Sequence, residues 1–188
     1  MDVRDVRRVY DRREQMVTKT TTSDDRWWSL IARSAEGAED PDAQGERLEA
    51  LVKELDVDDI VAFDRFVQER MRDAFRSDLW AVAYIMNGGC SDDGFDYFLG
   101  WLVGRGKARY EAALAHPVDA ARDVSPDDAP FENEAFWYVA RRAYEAKTGK
   151  EGSYDAVAPN VTRTLQGELF DEDTVHELHP ELAKRFEG

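Results

Sequence analysis

The chain has one cysteine, Cys90, so it can form no internal disulfide. Its stability must come from packing, and a reducing, cytoplasmic setting is the expectation. No apolar run approaches the roughly 20 residues that span a bilayer as a helix, so no membrane association is expected. The first residues, Met1-Asp2-Val3-Arg4-Asp5-Val6-Arg7-Arg8, lack the apolar stretch of a secretory signal, and none is expected. Proline is missing between Pro41 and Pro117, which leaves room for long helices. Alternating polar and apolar patterns are nearly absent, which argues against a sheet. Neither lysine nor arginine occurs between Arg76 and Arg105.

Positive charge is scarce overall: the formal net charge is −15. That field repels a phosphate backbone, so no nucleic-acid partner is expected, and it attracts cations and basic partners. The distribution is uneven. Residues 1–22 carry six basic and four acidic side chains, and residues 165–188 carry seven acidic and two basic ones. The two ends either attract each other or are separate solvated surfaces.

What is present is a core. Apolar residues make up 43% of the 188 residues and aromatics 11%, enough for one domain. The patterns predict helices near 3–19, 24–37, 42–55, 57–76, 78–87, 92–105, 107–115 and 132–148. Short polar residues followed by acids mark helix starts at Ser23, Ser77 and Ser91, with Asp56 a fourth cap. Ile60, Phe63, Val67 and Met71 share one helical stripe, and Phe95, Phe98, Leu99, Leu102 and Val103 share another. Gly149 is placed to end the helix over 132–148. Residues 117–131 read as a loop. The expected fold is a single compact all-α domain over 23–150, with a helical extension at 1–22. An acidic tail at 151–188 is partly irregular and pinned to the body by Leu165, Leu169, Phe170, Leu178, Leu182 and Phe186. Val3, Val6, Tyr10 and Val17 make the extension a candidate homodimer surface.

One stretch stands apart. Asn87 to Phe98 holds three glycines, the cysteine, three aspartates and three aromatics in twelve positions. Gly88-Gly89 can end one helix and Ser91 can cap the next, making a tight corner. Gly94, Gly100 and Gly104 then fall inside the second helix. Each costs about 1 kcal/mol relative to alanine, which points to close approach by a neighbouring helix or ring. A glycine-rich turn before a helix suggests a phosphate cradle, but the required Gly-Lys-Ser/Thr is absent and two carboxylates occupy the helix start. Asp92-Asp93-Gly94-Phe95-Asp96 also spells the Asp-Asp-x-x-Asp string that holds magnesium diphosphate in prenyl-transfer enzymes. No second acidic motif accompanies it.

Two readings of the corner are open. In one, Asp92 and Asp93 serve the helix dipole, Asp96 pairs with Arg76, Arg105 or Arg109, and the aromatics are core. Alternatively Asp92, Asp93 and Asp96 form a cation site with Trp80, Tyr84, Tyr97, Trp101, Asn87 and Ser91. The cation would be a divalent metal, a small cationic ligand or a basic segment of a partner protein. Cys90 reads as a structural cysteine, since neighbouring carboxylates oppose a thiolate. His176-Glu177-Leu178-His179 lacks the His-Glu-x-x-His spacing of zinc proteases.

Trp27-Trp28-x-Leu30-Ile31, Phe63-Asp64, Asp78-Leu79-Trp80-x-x-Ala83-Tyr84, Asn87-Gly88-Gly89-Cys90-Ser91-Asp92-Asp93-Gly94-Phe95-x-Tyr97-Phe98 and Gly100-Trp101-Leu102 together closely resemble a bacterial family of unknown function, the one numbered 4240. Tyr110-Glu111-x-Ala113-Leu114, Glu132 and Ala143-Tyr144-Glu145 fit its later part. The resemblance covers about residues 24–150 and excludes the first 22. It implies a helical cytoplasmic bacterial domain and supplies no catalytic residues. The functional expectation is a non-catalytic binding or regulatory module with an acidic, aromatic pocket. The alternative is a small metal-assisted enzyme using Asp92, Asp93 and Asp96.

Overall fold

The computed structural model describes residues 24–186. The helix expected over 3–19, the Ser23 cap and the homodimer surface lie outside the described residues.

The fold is all-α. Helix α1 covers 24–35. It is followed by α2 (Pro41–Lys53), α3 (Val57–Asp73), α4 (Ser77–Asn87), α5 (Asp92–Gly104), α6 (Lys107–Ala115), α7 (Val139–Thr148) and the short α8 (Val175–Leu178) and α9 (Pro180–Phe186). Among the described residues there is no strand, only a parallel bridge between Arg76 and Gln166.

Local chemistry explains most of the boundaries. Asp40 accepts a hydrogen bond from the Ala43 amide, and Pro41 opens α2. Asp56 stands before α3, but its side chain makes no capping bond. Ser77 is the first residue of α4 rather than its cap, because its hydroxyl donates to the Glu168 carbonyl of the tail. Ser91 caps α5 by accepting from the Gly94 amide at 3.1 Å. Gly88 and Gly149 end α4 and α7 with φ of 66° and 67°, left-handed values that suit glycine.

Helix α5 is the hub. Phe95, Phe98, Leu99, Leu102 and Val103 are all buried, as are Gly100, Trp101 and Gly104 on the opposite side. Residues 131–137 cover that side. Asn133 donates its amide to the Tyr97 carbonyl at 2.9 Å, and Trp137 donates its ring N–H to the Asp96 carbonyl at 3.0 Å. This is why the helix expected over 132–148 starts late. Its first residues run along α5 and make a 3-10 turn at Glu134–Trp137 before α7 begins at Val139. Helix α7 then packs on α2 and α3. Helix α1 is fastened by edge contacts of Trp27 on Phe63 and of Trp28 on Phe66.

The tail crosses the body and closes it. Tyr154, Val175, Leu182 and Ala183 are buried, and Phe170 and Phe186 pack partly against the core. Two of the expected anchors do not bury: Leu169 is 64% and Leu178 56% exposed. Val175 takes that role, because α8 turns it toward α4 while Leu178 faces outward. The loop over 117–131 contains 3-10 turns at Pro117–Ala121 and Pro126–Asp128. No helix of the described residues is long and apolar enough to cross a membrane.

Candidate functional site

The nine residues singled out around the α4–α5 corner do not line one cavity. Trp80 lies flat on Phe95, with ring centroids 4.9 Å apart and an interplanar angle of 6°. Its ring N–H donates to the Cys90 carbonyl at 2.9 Å, so it fills the inside of the corner. Tyr84 meets Phe170 edge-on and donates its hydroxyl to Glu172 at 3.2 Å. Trp101 is buried against Phe131 and borders a separate cavity of about 500 Å³ with Gln44 and Arg105. The Asn87 side-chain oxygen accepts from the Phe131 amide at 2.9 Å, which ties the corner to the chain that covers α5. Ser91 is the cap. Asp92 is exposed.

Asp96 has its cation already, supplied from the tail. Both its oxygens accept from Arg163, at 2.6 and 2.9 Å. The guanidinium lies over Phe75 at 4.7 Å and over Trp137 at 4.8 Å from the ring centroids. The ion pair expected with Arg76, Arg105 or Arg109 is therefore made by Arg163, which lies 67 residues away in sequence. Arg76 instead pairs with Asp78, and Arg109 with Asp123.

The remaining three, Asp93, Asp96 and Tyr97, do meet at a cavity of about 330 Å³. Its other walls come from elsewhere in the chain: Asp64 and Gln68 of α3, Trp137, Tyr138 and Arg141 at the start of α7, and Tyr154 and Ala158 of the tail. Asp64 is only 5% exposed. Its Oδ2 accepts from Gln68 at 3.0 Å and from the Tyr154 hydroxyl. Burial pushes the Asp64 carboxyl up from the ordinary value, against the opposing effect of those two hydrogen bonds. Tyr154 is raised in turn, by burial first and then by the Asp64 charge. Arg141 is engaged by Asp155 and Glu145. Asp93 is exposed at the rim and makes no ion pair with a described residue.

Asp64 had a visible signal: it interrupts the apolar stripe Ile60, Phe63, Val67 and Met71 on its buried side. Tyr154 and Arg163 had none, because the tail carries no periodic pattern that points them at α3 and α5.

Cys90 is half-buried. Burial first, then the Glu132 carboxylate, pushes its thiol up to about 12, so it is no thiolate at neutral pH. Among the described residues no three His, Cys, Asp or Glu side chains come together as a metal site.

No curated protein and no solved structure matches the chain. The model of one protein family, described as a protein of unknown function, DUF4240, matches residues 23–146. That match spans the corner, the hub helix and every wall of the cavity except those from the tail. Over the greater part of its length, from α1 through most of α7, the chain belongs to the DUF4240 family.

Proposed function

We propose that the chain is a non-catalytic binding or regulatory module whose acidic, aromatic cavity takes a cationic ligand or a basic segment of a partner. One observation carries this reading: besides the paired Asp96, two carboxylates, Asp64 and Asp93, and four aromatic residues, Tyr97, Trp137, Tyr138 and Tyr154, line the same cavity. Carboxylates supply negative potential and ring faces supply polarisable negative surface, and together they favour a cation over an anion or a neutral guest. Arg163, held at once by Asp96 and by the rings of Phe75 and Trp137 beside the cavity, uses the same kind of contact that the proposal assigns to a guest cation. The net charge of −15 draws cations toward the surface.

The metal-assisted reading needs Asp92, Asp93 and Asp96 to converge. Asp92 and Asp93 are exposed, and both oxygens of Asp96 are held by Arg163. That arrangement favours the binding reading.

The test is thermal unfolding of the full chain with spermidine, with arginine amide and with a short lysine-rich peptide. A ligand of the native state raises the melting temperature in a saturable way. At least one of the three is expected to do so, with the rise reduced in Asp93→Asn. A melting temperature unmoved by all three at millimolar concentration defeats the proposal.

A further inference from the structure

We infer that residues 160–168 of the tail fill a peptide-binding groove as the molecule's own ligand, and that a basic partner segment, an arginine flanked two residues away by aliphatic side chains, takes their place. The site meets the cavity at Asp96 and Trp137. It is the slot that the tail already occupies, so the inference goes beyond the reading of the cavity as a cation site.

The first ground is how the segment lies. Between the buried Pro159 and Val175 no residue is buried. Val161, Arg163 and Leu165 are half-buried, while Asn160, Thr162 and Thr164 are exposed. That alternation is the period of an extended strand laid on a surface. Gln166 then pairs as a strand does. Its amide donates to the Phe75 carbonyl at 3.1 Å, and its carbonyl accepts from the Ser77 amide at 2.9 Å. The Ser77 hydroxyl donates to the Glu168 carbonyl. Backbone bonds with side-chain slots beside them are the way domains that accept a peptide strand read their ligands.

The second ground is the slot. Asp96 accepts the Arg163 fork at 2.6 and 2.9 Å, with the Phe75 and Trp137 rings 4.7 and 4.8 Å from the guanidinium. Two parallel bonds and two rings suit a planar guanidinium, and a lysine reproduces neither. The third ground is room. Ala158, just before the segment, borders the cavity of about 330 Å³. Residues 166–168 border another of about 540 Å³, with Ala81, Phe170 and Leu178. A partner segment with larger side chains at either end has volume to fill. The buried anchors Tyr154 and Val175 lie beyond the segment, so it can lift without opening the core. Charge favours a basic partner over the tail of a second copy: two chains of net charge −15 repel each other.

The experiment titrates full-length chains with a labelled synthetic peptide of residues 159–168 and follows its fluorescence anisotropy. Arg163→Ala empties the slot. It is expected to bind the peptide saturably and at least about tenfold tighter than the parent chain, whose own segment competes. A peptide with Arg163→Lys is expected to bind about tenfold more weakly, and Asp96→Asn added to the Arg163→Ala chain to have a similar effect. Gln166→Pro removes the amide paired with Phe75 and keeps Arg163. It is expected to raise peptide binding too, and it decides the matter if the alanine variant does not fold. Equal binding to the parent chain and both variants, equal binding of the arginine and lysine peptides, or no binding to any chain overturns the inference. A parent chain that is dimeric by light scattering, and becomes monomeric in Arg163→Ala, assigns the groove to a second copy and overturns the partner. Loose cations on the parent chain and the peptide on the variants are separate readouts, so either site can fail alone.

Discussion

Asp64 carries the main electrostatic conflict in this fold. Its carboxyl is nearly inaccessible, and burial raises its pKa more than Tyr154 and Gln68 lower it. The folded-state value therefore lies above the ordinary 3.8. Between those two values the native state keeps a proton that the unfolded chain has lost. The contribution of this group to stability thus falls as pH rises through that window, and it stays low at neutral pH. Asp64→Asn keeps an acceptor for Tyr154 and Gln68 and removes the charge. The variant is expected to be at least as stable as the parent at pH 7, with the difference shrinking as pH is lowered toward 4. Melting temperatures across that range check this. A clearly less stable Asn variant at pH 7 would show that the ionised form is preferred. Asp64→Leu, by contrast, leaves the Tyr154 hydroxyl without its acceptor and is expected to cost about 1–3 kcal/mol.

At the scale of elements, the glycines of α5 separate by what approaches them. A methyl at Gly100 would stand 2.4 Å from the Asn133 carbonyl oxygen and 3.3 Å from the Phe136 Cβ. Backbone cannot yield as a side chain can, so Gly100→Ala is expected to destabilise by about 2 kcal/mol. At Gly94 the nearest atoms are Ser91 Oγ at 3.4 Å and Cys90 Sγ at 3.6 Å, ordinary contacts. There the gain in helix propensity prevails, and Gly94→Ala is expected to stabilise by about 0.5 kcal/mol. Chemical denaturation of the two variants decides, and equal signs would remove the close-approach account. The expectation that a helix or a ring presses on α5 was legible from the spacing of Gly100 and Gly104. That the presser at Gly100 is a stretch of extended backbone was not.

The tail is a second element-scale case. The Arg163–Asp96 pair is only about a quarter exposed on either side, and its guanidinium fills the space between Phe75 and Trp137. Arg163→Ala is expected to cost about 2 kcal/mol and to speed amide exchange over residues 158–166. Arg163→Lys restores the charge without the planar fork and recovers only part of that loss. Unchanged exchange in the alanine variant would mean that the Arg76–Gln166 bridge and the buried Tyr154 hold the tail alone.

Across the whole molecule, charge is the dominant global quantity. Forty acidic residues face 25 basic ones, and most of the ion pairs among described residues are at least partly solvated. Such pairs contribute little, so the excess of like charge outweighs them. Raising NaCl from about 10 mM to about 150 mM shortens the screening length from about 30 Å to about 8 Å and is expected to raise the melting temperature. A fall would show that the ion pairs, Arg163–Asp96 foremost, matter more than the repulsion.

The local sequence determined the helices from α1 to α6, the Ser91 cap, the Gly88 and Gly149 ends and the buried stripes of α3 and α5. Each depends on residues within a turn or two of one another, and periodicity reports such short-range physics directly. It also located the acidic, aromatic corner. Only the tertiary structure decided which residues share a cavity. It sent Trp80 and Trp101 into the packing, left Asp92 in solvent and matched Asp96 with an arginine from the tail. It brought Asp64, Trp137, Tyr138 and Tyr154 together around Asp93, Asp96 and Tyr97. Those neighbours lie far apart along the chain, and no local pattern encodes such a meeting. It follows from how α7 and the tail fold back over α3 and α5.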